Sequence, residues 1–451
     1  MMNSTEESES KFKQSEPRTA REDTRVAVIG NVDSGKSTLV GVLTRGVVDD
    51  GRGSARRLVF NFSHEEANGR TSSIGQEIMG FDSGGSQVTP ERLTENKNKS
   101  WSYVANHSQK LVTFLDLCGH ERYLKTTVFG LVGLMPDYAM IVVGANMGVT
   151  RMTREHIGLA LSMKIPMFFV VTKVDIAPDN VYKKTLETLQ KILRSPGAGN
   201  RMPLLVDSQS EFEEMAEMIE TKLCPIFRVS NVTSEGLEEL KKFVHCLKAR
   251  TLNTGAFGSA EEPVEFLIDG VFLVTGVGVV VSGIMKAGTV QLNQSLCLGP
   301  DKSGNYRTVT VRGIHIKRTN AEEAQAGQSA CFNIRAANKK EQLKKNQIKK
   351  GMVVVDRSLT PETAWEFEAK VVILHHGTTI RANYQPIIHC GVVRQAARVV
   401  WMSSGLLRTG DEGTLRFRFM FRPELIHRGM KILFREGRTK GLGEIFKVYP
   451  I

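Results

Sequence analysis

Between Arg25 and Ala249 the chain alternates two textures. Near-continuous apolar runs appear at RVAVIG (25–30), KLVTFLDL (110–117), YAMIVVGA (138–145), PMFFVVTK (166–173) and CPIFRVS (224–230). Strands buried on both faces read this way, as in a parallel sheet covered by helices. Between them lie helical stretches, STLVGVLTR (37–45), TREHIGLALSM (153–163) and VYKKTLETLQKILR (181–194). The alternation predicts a doubly wound, mostly parallel α/β domain over residues 24–252. Two segments interrupt it. Residues 82–100 are polar and read as a mobile loop, and 195–223 read as an insertion with a short helix.

After the linker TLNTGAFGSAEEP (251–263) the helical period disappears. Short Val/Gly-rich runs follow, first EFLIDGVFLV, GVVVSGIMKAG and YRTVTVRGIHI, then FEAKVVILHH, IIHCGVV, GTLRFRFMF and MKILFREG. Turn signals every ten residues or so predict two antiparallel β-barrels, over 262–358 and 362–451. Residues 1–23 are polar and charged and are expected to be a disordered tail without a signal-peptide apolar core.

Charge adds a direction to this layout. The net charge is +12, and residues 261–451 hold 28 Lys+Arg against 17 Asp+Glu, so nearly all the excess lies in the barrel half. Such asymmetry favours a polyanionic partner, nucleic acid foremost. Candidate contacts are Lys317, Arg318, Lys339, Lys340, Lys344, Lys345, Lys349, Lys350, Arg435 and Arg438. The six cysteines form no CxxC pair, and the longest apolar run, VFLVTGVGVVVSGIM, is short and broken by glycine. The expectation is a cytosolic protein with reduced thiols and no membrane span.

The chemistry begins at RVAVIGNVDSGKSTLV, a strand, then G-x-x-x-x-G-K-S, then a helix. This is a P-loop spanning Gly30, Asn31, Val32, Asp33, Ser34, Gly35, Lys36, Ser37 and Thr38. Glycines let backbone N–H groups face phosphate oxygens, and the helix start adds its positive dipole end. Lys36 would reach the β and γ phosphates, and the Ser37 hydroxyl would ligate Mg²⁺. Asp116, ending KLVTFLDL, would hold Mg²⁺ through a water, and Gly119 would offer its N–H to the γ-phosphate. In VVTKVDIA, Thr172, Lys173 and Asp175 follow another strand. A carboxylate there accepts two hydrogen bonds from the guanine N1–H and 2-amino group, which adenine lacks. Ser230, Asn231 and Val232 would complete the base site. The segment answering to the γ-phosphate, switch I, falls in 69–82. Its metal ligand is Thr71 in one register and Ser73 in the other.

At these residues the sequence resembles the translational GTPases, the class of elongation factors Tu and 1A. GNVDSGKST, DLCGHERYLKTT and TKVD are similar to that class's GHVDHGKTT, DxPGHxxYxxN and NKxD. TGVGVVVSGIMKAGTV, WEFEAKVVIL and LFREGRTKGLGEIFKV are similar to its barrel signatures, so the resemblance covers roughly residues 25–449. NGRTSSIG, FDSGG, YLKTTVFG and LHHGTTI resemble the subgroup of GTP-binding proteins 1 and 2. The resemblance implies GTP hydrolysis with Mg²⁺ and GTP-dependent binding of aminoacyl-tRNA and the ribosome by a monomer, with no DNA partner. It makes His120 the catalytic residue that orients the attacking water when the ribosome is engaged; the bland alternative is a histidine closing its loop onto a backbone carbonyl. Two departures bear on the site. Thr172 stands for the usual Asn, which predicts a looser base loop and faster nucleotide exchange, and Arg70 stands for an apolar residue guarding the water, leaving Val32 part of its usual partner. A ribosome-rescue GTPase and a GTP-regulated adaptor in mRNA turnover are the alternative functions.

Overall fold

The computed structural model describes residues 22–90, 97–250, 257–338, 340–359, 361, 363–375, 377–436 and 439–451. The expected tail up to residue 21, Lys339 and Arg438 lie outside the described residues. So do parts of the loop 82–100 and of the linker.

The first domain is an eight-stranded sheet in the order β3-β2-β4-β1-β5-β6-β8-β7. Its strands are β1 (Glu22–Gly30), β2 (Gly75–Phe81), β3 (Gln87–Val88), β4 (Lys110–Asp116), β5 (Tyr138–Gly144), β6 (Met167–Thr172), β7 (Met202–Leu205) and β8 (Leu223–Arg228). From β4 to β7 all neighbours are parallel, while β2 and β3 run antiparallel at one edge. The helices are α1 (Lys36–Arg45), α2 (Ser54–Arg57), α3 (Ser63–Asn68), α4 (Lys97–His107), α5 (Leu124–Gly133), α6 (Arg151–Ser162), α7 (Asp179–Leu193), α8 (Phe212–Met218) and α9 (Leu237–Cys246). Alternate residues of each central strand feed opposite cores. Val26 and Val28 pack with Leu39, Leu43, Phe114 and Phe243, and Ala27 and Ile29 pack with Leu115, Val128, Ile141 and Leu189. This two-sided burial is why the strands read as unbroken apolar runs.

Three expectations need correction. Glu22 and Asp23 belong to β1, not to a tail. The segment 195–223 supplies β7, a strand of the main sheet, besides the helix α8. The polar stretch 82–100 contains β3 and the start of α4. The apolar face of α4 is narrow: among its described residues Trp101, Val104 and Ala105 pack against Ile78 and Leu111, too few to mark a helical period in the sequence.

Each remaining domain is a closed six-stranded antiparallel barrel. The first ring runs Ser295–Gly299, Val353–Val355, Glu265–Val274, Gly278–Ala287, Ser329–Ala336, Arg307–Ile316 and back. The second runs Glu412–Phe419, Val393–Met402, Ile387–Cys390, Lys431–Glu436, Thr439–Pro450, Thr363–His375 and back. Closure removes the free edges that an open sheet exposes.

The first barrel docks on the end of the sheet where β1 and β4 begin. The Lys317 ammonium lies 2.7 Å from an Asp23 carboxylate oxygen, and the Thr113 hydroxyl donates to the same carboxylate at 2.7 Å. Lys317 also donates to the Thr113 hydroxyl, and Arg25 to the Gly327 carbonyl. The Arg318 guanidinium lies 4.5 Å over the Trp101 ring. Lys317 is therefore a buried interdomain cation and not an RNA contact. The second barrel rests on the opposite core layer, into which Leu433 and Leu442 pack. Arg435 is buried as well, which removes it from the expected RNA-binding surface.

Candidate functional site

The loop between β1 and α1 is held by glycine chemistry. Gly30 has φ +153°, and a Cβ there would stand 2.2 Å from the Val142 carbonyl oxygen. Gly35 caps α1 in the left-handed region at φ +83°. Inside the loop, the Asn31 carbonyl accepts from the Lys36 ammonium at 2.6 Å and from the Ser34 hydroxyl at 2.9 Å. Lys36 is buried, and that burial depresses its pKa, with Asp116, Cys118 and Asp33 pulling the other way. Asp33 faces outward beside Arg70, 3.8 Å away, in an exposed and therefore weak pair. Asn31, Val32 and Thr38 are half-buried in the same loop and helix start.

Three oxygens meet where β4 ends. Ser37 Oγ donates to Asp116 Oδ2 at 2.6 Å and lies 2.7 Å from Thr71 Oγ1. Thr71 Oγ1 lies 3.4 Å from the same carboxylate oxygen. Asp116 is 3% exposed, and burial pushes its carboxyl up to about 6 against the pull of Ser37 and Lys36. Its second oxygen, Oδ1, is buried without a hydrogen-bond partner. Two hydroxyls and a carboxylate with an oxygen to spare are hard donors that suit Mg²⁺ better than a transition metal. Ser73, the other register, points elsewhere, its hydroxyl donating to Glu65 Oε1 at 2.9 Å. Among the described residues no group of three His, Cys, Asp or Glu could hold a metal.

The loop after Asp116 crosses this cluster. A Cβ on Gly119 would lie 2.5 Å from Lys36 Nζ and 2.7 Å from the Gly30 carbonyl oxygen. The Cys118 thiol, pushed up to about 12 by burial beside Asp116, donates to the Ser73 carbonyl at 3.3 Å. His120 is exposed and begins the 3-10 turn Glu121–Tyr123, its Nδ1 accepting from the Arg122 N–H at 3.1 Å. Its loop-closing bond is thus to a backbone N–H rather than a carbonyl.

The base loops assemble beside the P-loop. The Thr172 hydroxyl donates to the Ser34 carbonyl at 2.6 Å, so threonine keeps the tie that the missing Asn would make. Lys173 has φ +60°, a left-handed turn that carries Asp175 outward. Asp175 accepts from the Ser230 hydroxyl at 2.8 Å, and that hydroxyl in turn accepts the N–H groups of Val232 and Thr233. Asn231 is buried. Its carbonyl accepts the Asp49 N–H, and its Oδ1 lacks a partner. Val232 is exposed at the rim. The P-loop, Thr71, Asp116, Gly119 and the base loops thus lie at the C-terminal strand ends, the usual ligand position in an open α/β sheet, while Ser73 turns away to Glu65. Sequence reasoning missed Glu65 and the bonding role of Cys118. Both read as ordinary residues until the loops are folded together.

Among the described residues no helix is long and apolar enough to cross a membrane. The six cysteines are free.

Comparison with known proteins completes the picture. Residues 22–249 match the family model of the elongation factor Tu GTP binding domain. GTP-binding protein 1 of Xenopus laevis is 46% identical over 427 residues, which are 94% of this chain and 63% of that protein. GTP-binding protein 2 of Mus musculus is 39% identical over 432 residues, 95% of this chain and 70% of that protein. This chain therefore spans less than two thirds of the frog relative. The crystal structure of a bacterial selenocysteine-specific elongation factor, EF-Sec, superposes with a TM-score of 0.65 at 19% identity, covering 96% of this chain and 59% of that one.

Proposed function

The chain belongs to the GTPases that carry the elongation factor Tu GTP-binding domain, and from that premise we propose that it is a GTP-switched translation factor whose nucleotide state governs its grip on aminoacyl-tRNA and the ribosome. As a GTPase of this family it uses GTP with Mg²⁺. The observation that carries the reading is the Ser37, Thr71 and Asp116 cluster. It joins the P-loop, switch I and the β4 end in one spot, with Lys36 alongside. Mg²⁺ would offset the phosphate charge at this spot, where Ser37 and Thr71 would present hydroxyls to it and Asp116 would hold it through a water. Lys36 leaves the Asn31 carbonyl for the β and γ phosphates. Gly119 gives the γ-phosphate a backbone N–H that no side chain obstructs. Asp175 accepts the two guanine N–H groups, while Thr172, Lys173, Ser230, Asn231 and Val232 hold that carboxylate and the base plane. His120, exposed and held by one hydrogen bond, is free to swing toward the attacking water when a partner presses on its loop.

The barrels supply the RNA grip. Lys340, Lys344, Lys345, Lys349 and Lys350 are exposed on one loop of the first barrel. Beside them an open hollow of about 520 Å³ is lined by these lysines from 344 on, with Val271 and Ile348 at its apolar side. Phosphate contacts by such lysines release counterions, so binding should weaken steeply with salt. The proposed setting is the cytoplasm and the working form a monomer.

Filter binding tests the proposal. Charged tRNA should be held about tenfold or more tightly with GTP than with GDP, and in preference to uncharged tRNA. A rescue GTPase or mRNA-turnover adaptor would show neither preference, and that result would remove the carrier reading. His120→Ala should bind GTP normally and lose ribosome-stimulated turnover; stimulated turnover that survives would retire its catalytic role.

A further inference from the structure

Glu65, on the short helix α3, is 1% exposed although it stands in the polar sequence SHEEAN. Its carboxylate gathers the start of switch I. Oε1 accepts the Ser72 N–H at 2.8 Å, the Ser72 hydroxyl at 3.0 Å, the Ser73 N–H at 3.0 Å and the Ser73 hydroxyl at 2.9 Å. Oε2 accepts the Asn61 N–H at 3.2 Å. Burial works to raise the Glu65 pKa, but the bonds from Ser72, Ser73 and Asn61 prevail and hold it below the usual carboxylate range. Two successive N–H groups converging on one anionic oxygen form a small backbone nest around it.

Thr71 immediately precedes the gripped pair. The peptide plane joining Thr71 to Ser72 is rigid, so fixing the Ser72 N–H also fixes the Thr71 carbonyl side. From the other direction, the Cys118 thiol donates to the Ser73 carbonyl and ties the same residues to the loop after Asp116. The segment is thus held on both sides, and the Thr71 hydroxyl arrives 2.7 Å from Ser37 and 3.4 Å from Asp116. We propose that Glu65 is the positioning residue of switch I: its carboxylate seats Thr71 at the metal-facing end of the nucleotide site, and the chain's preference for GTP over GDP depends on it. The inference rests on the reading of Thr71 as the group that answers to Mg²⁺ and the γ-phosphate. Glu65 itself touches neither. Its effect is confined to the state in which Thr71 has a γ-phosphate to meet, so GDP affinity is independent of it.

The test uses the full chain, with fluorescent GTP and GDP analogues titrated in Mg²⁺. Glu65→Ala should lower the preference for GTP over GDP by about tenfold or more, the scale of losing hydrogen bonds to a charged acceptor, with GDP affinity unchanged. Glu65→Gln keeps one carbonyl oxygen able to accept the four bonds of Oε1 and should recover most of the preference. Thr71→Ala should reproduce the loss, and Glu65→Ala added to Thr71→Ala should cost nothing more. If Thr71→Ala loses the preference while Glu65→Ala keeps it, the positioning role is overturned and the site reading stands. If GTP and GDP affinities fall in equal proportion in Glu65→Ala, Glu65 merely supports the fold and the proposal is wrong. If Thr71→Ala keeps the preference, the reading of Thr71 fails and the inference falls with it. Should Glu65→Ala fail to fold, Ser73→Ala, which removes one bond and spares the backbone pair, carries the same comparison with an expected loss of about two- to fivefold.

Discussion

Replacing Lys317 separates an interdomain role from an RNA role. The side chain is 9% exposed and its Asp23 partner 18% exposed. Lys317→Met preserves the stem and removes the ammonium, leaving Asp23 with the Thr113 hydroxyl and the nearby Arg25 charge. Stranding one member of a buried ion pair costs about 3–5 kcal/mol. Partial exposure of Asp23 puts the expected value at the lower end, about 3 kcal/mol, or roughly a hundredfold in a local opening equilibrium. Hydrogen exchange reads this directly, with protection of 22–25 and 307–321 expected to drop about a hundredfold while β5 and β6 are unaffected. Asp23→Asn on top of Lys317→Met removes the stranded charge and should cost far less than two single losses. The contribution also has a pH sign. Burial works against the Asp23 carboxylate, but Lys317 and Arg25 hold its pKa below the usual value. The stabilisation is present above the unfolded carboxylate pKa and is lost as pH falls through the folded value. RNA binding supplies the contrast: a phosphate-contacting lysine lowers the salt slope by about 1 when removed. Unchanged exchange together with a reduced salt slope in Lys317→Met would refute the docking account.

Gly119→Ala should weaken GTP binding by about tenfold to a hundredfold in calorimetric titration, because its Cβ would press on backbone at Gly30 and Asn31 as well as on Lys36; unaltered affinity would contradict this loop packing. His156 in α6 and His389 in the second barrel are buried, and burial among positive charges pushes both down to about 3 from an ordinary 6.5. The unfolded chain binds these protons first, so stability falls as pH drops below 6.5, by about 2 kcal/mol for each at pH 5. A flat thermal-unfolding profile between pH 7 and 5, or one not flattened by replacing either histidine with Gln, would contradict the neutral buried state.

Much of the fold was legible because the signals are local. A strand buried on both faces writes itself as Val-Ala-Val-Ile, and a phosphate loop needs its glycines at fixed spacing whatever surrounds them. Closed barrels likewise follow from turn spacing. The expectations that failed depended on partners distant in sequence. Lys317 and Asp23 are 294 positions apart, and nothing in IHIKRTN distinguishes a lysine bound for a buried carboxylate from one bound for phosphate. Met202–Leu205 reads as loop until β8 offers it an edge. Glu65 looks solvated in SHEEAN because its five donors come from residues before and after the helix. The threonine in TKVD looked like a loss and proved a substitution of one donor for another, visible only once Ser34 stood opposite it.

The same two strands carry both the contact with the first barrel and the phosphate loop. β1 begins at the Asp23 contact with the first barrel and ends at Gly30 of the P-loop. β4 carries Thr113 at that contact and ends at Asp116. They are parallel neighbours in unbroken register from Glu22 to Val28. A seven-residue paired strand spans about 23 Å and does not lengthen, so the first barrel is referenced rigidly to the phosphate end of the sheet. The second barrel has a different footing, since it packs against the α5 side, just after the loop that bears His120. The first barrel holds the β1 and β4 contact at Asp23 and also touches α5, where Lys350 Nζ lies 5.7 Å over the Phe129 ring, while the second is footed on the α5 layer through Leu433 and Leu442.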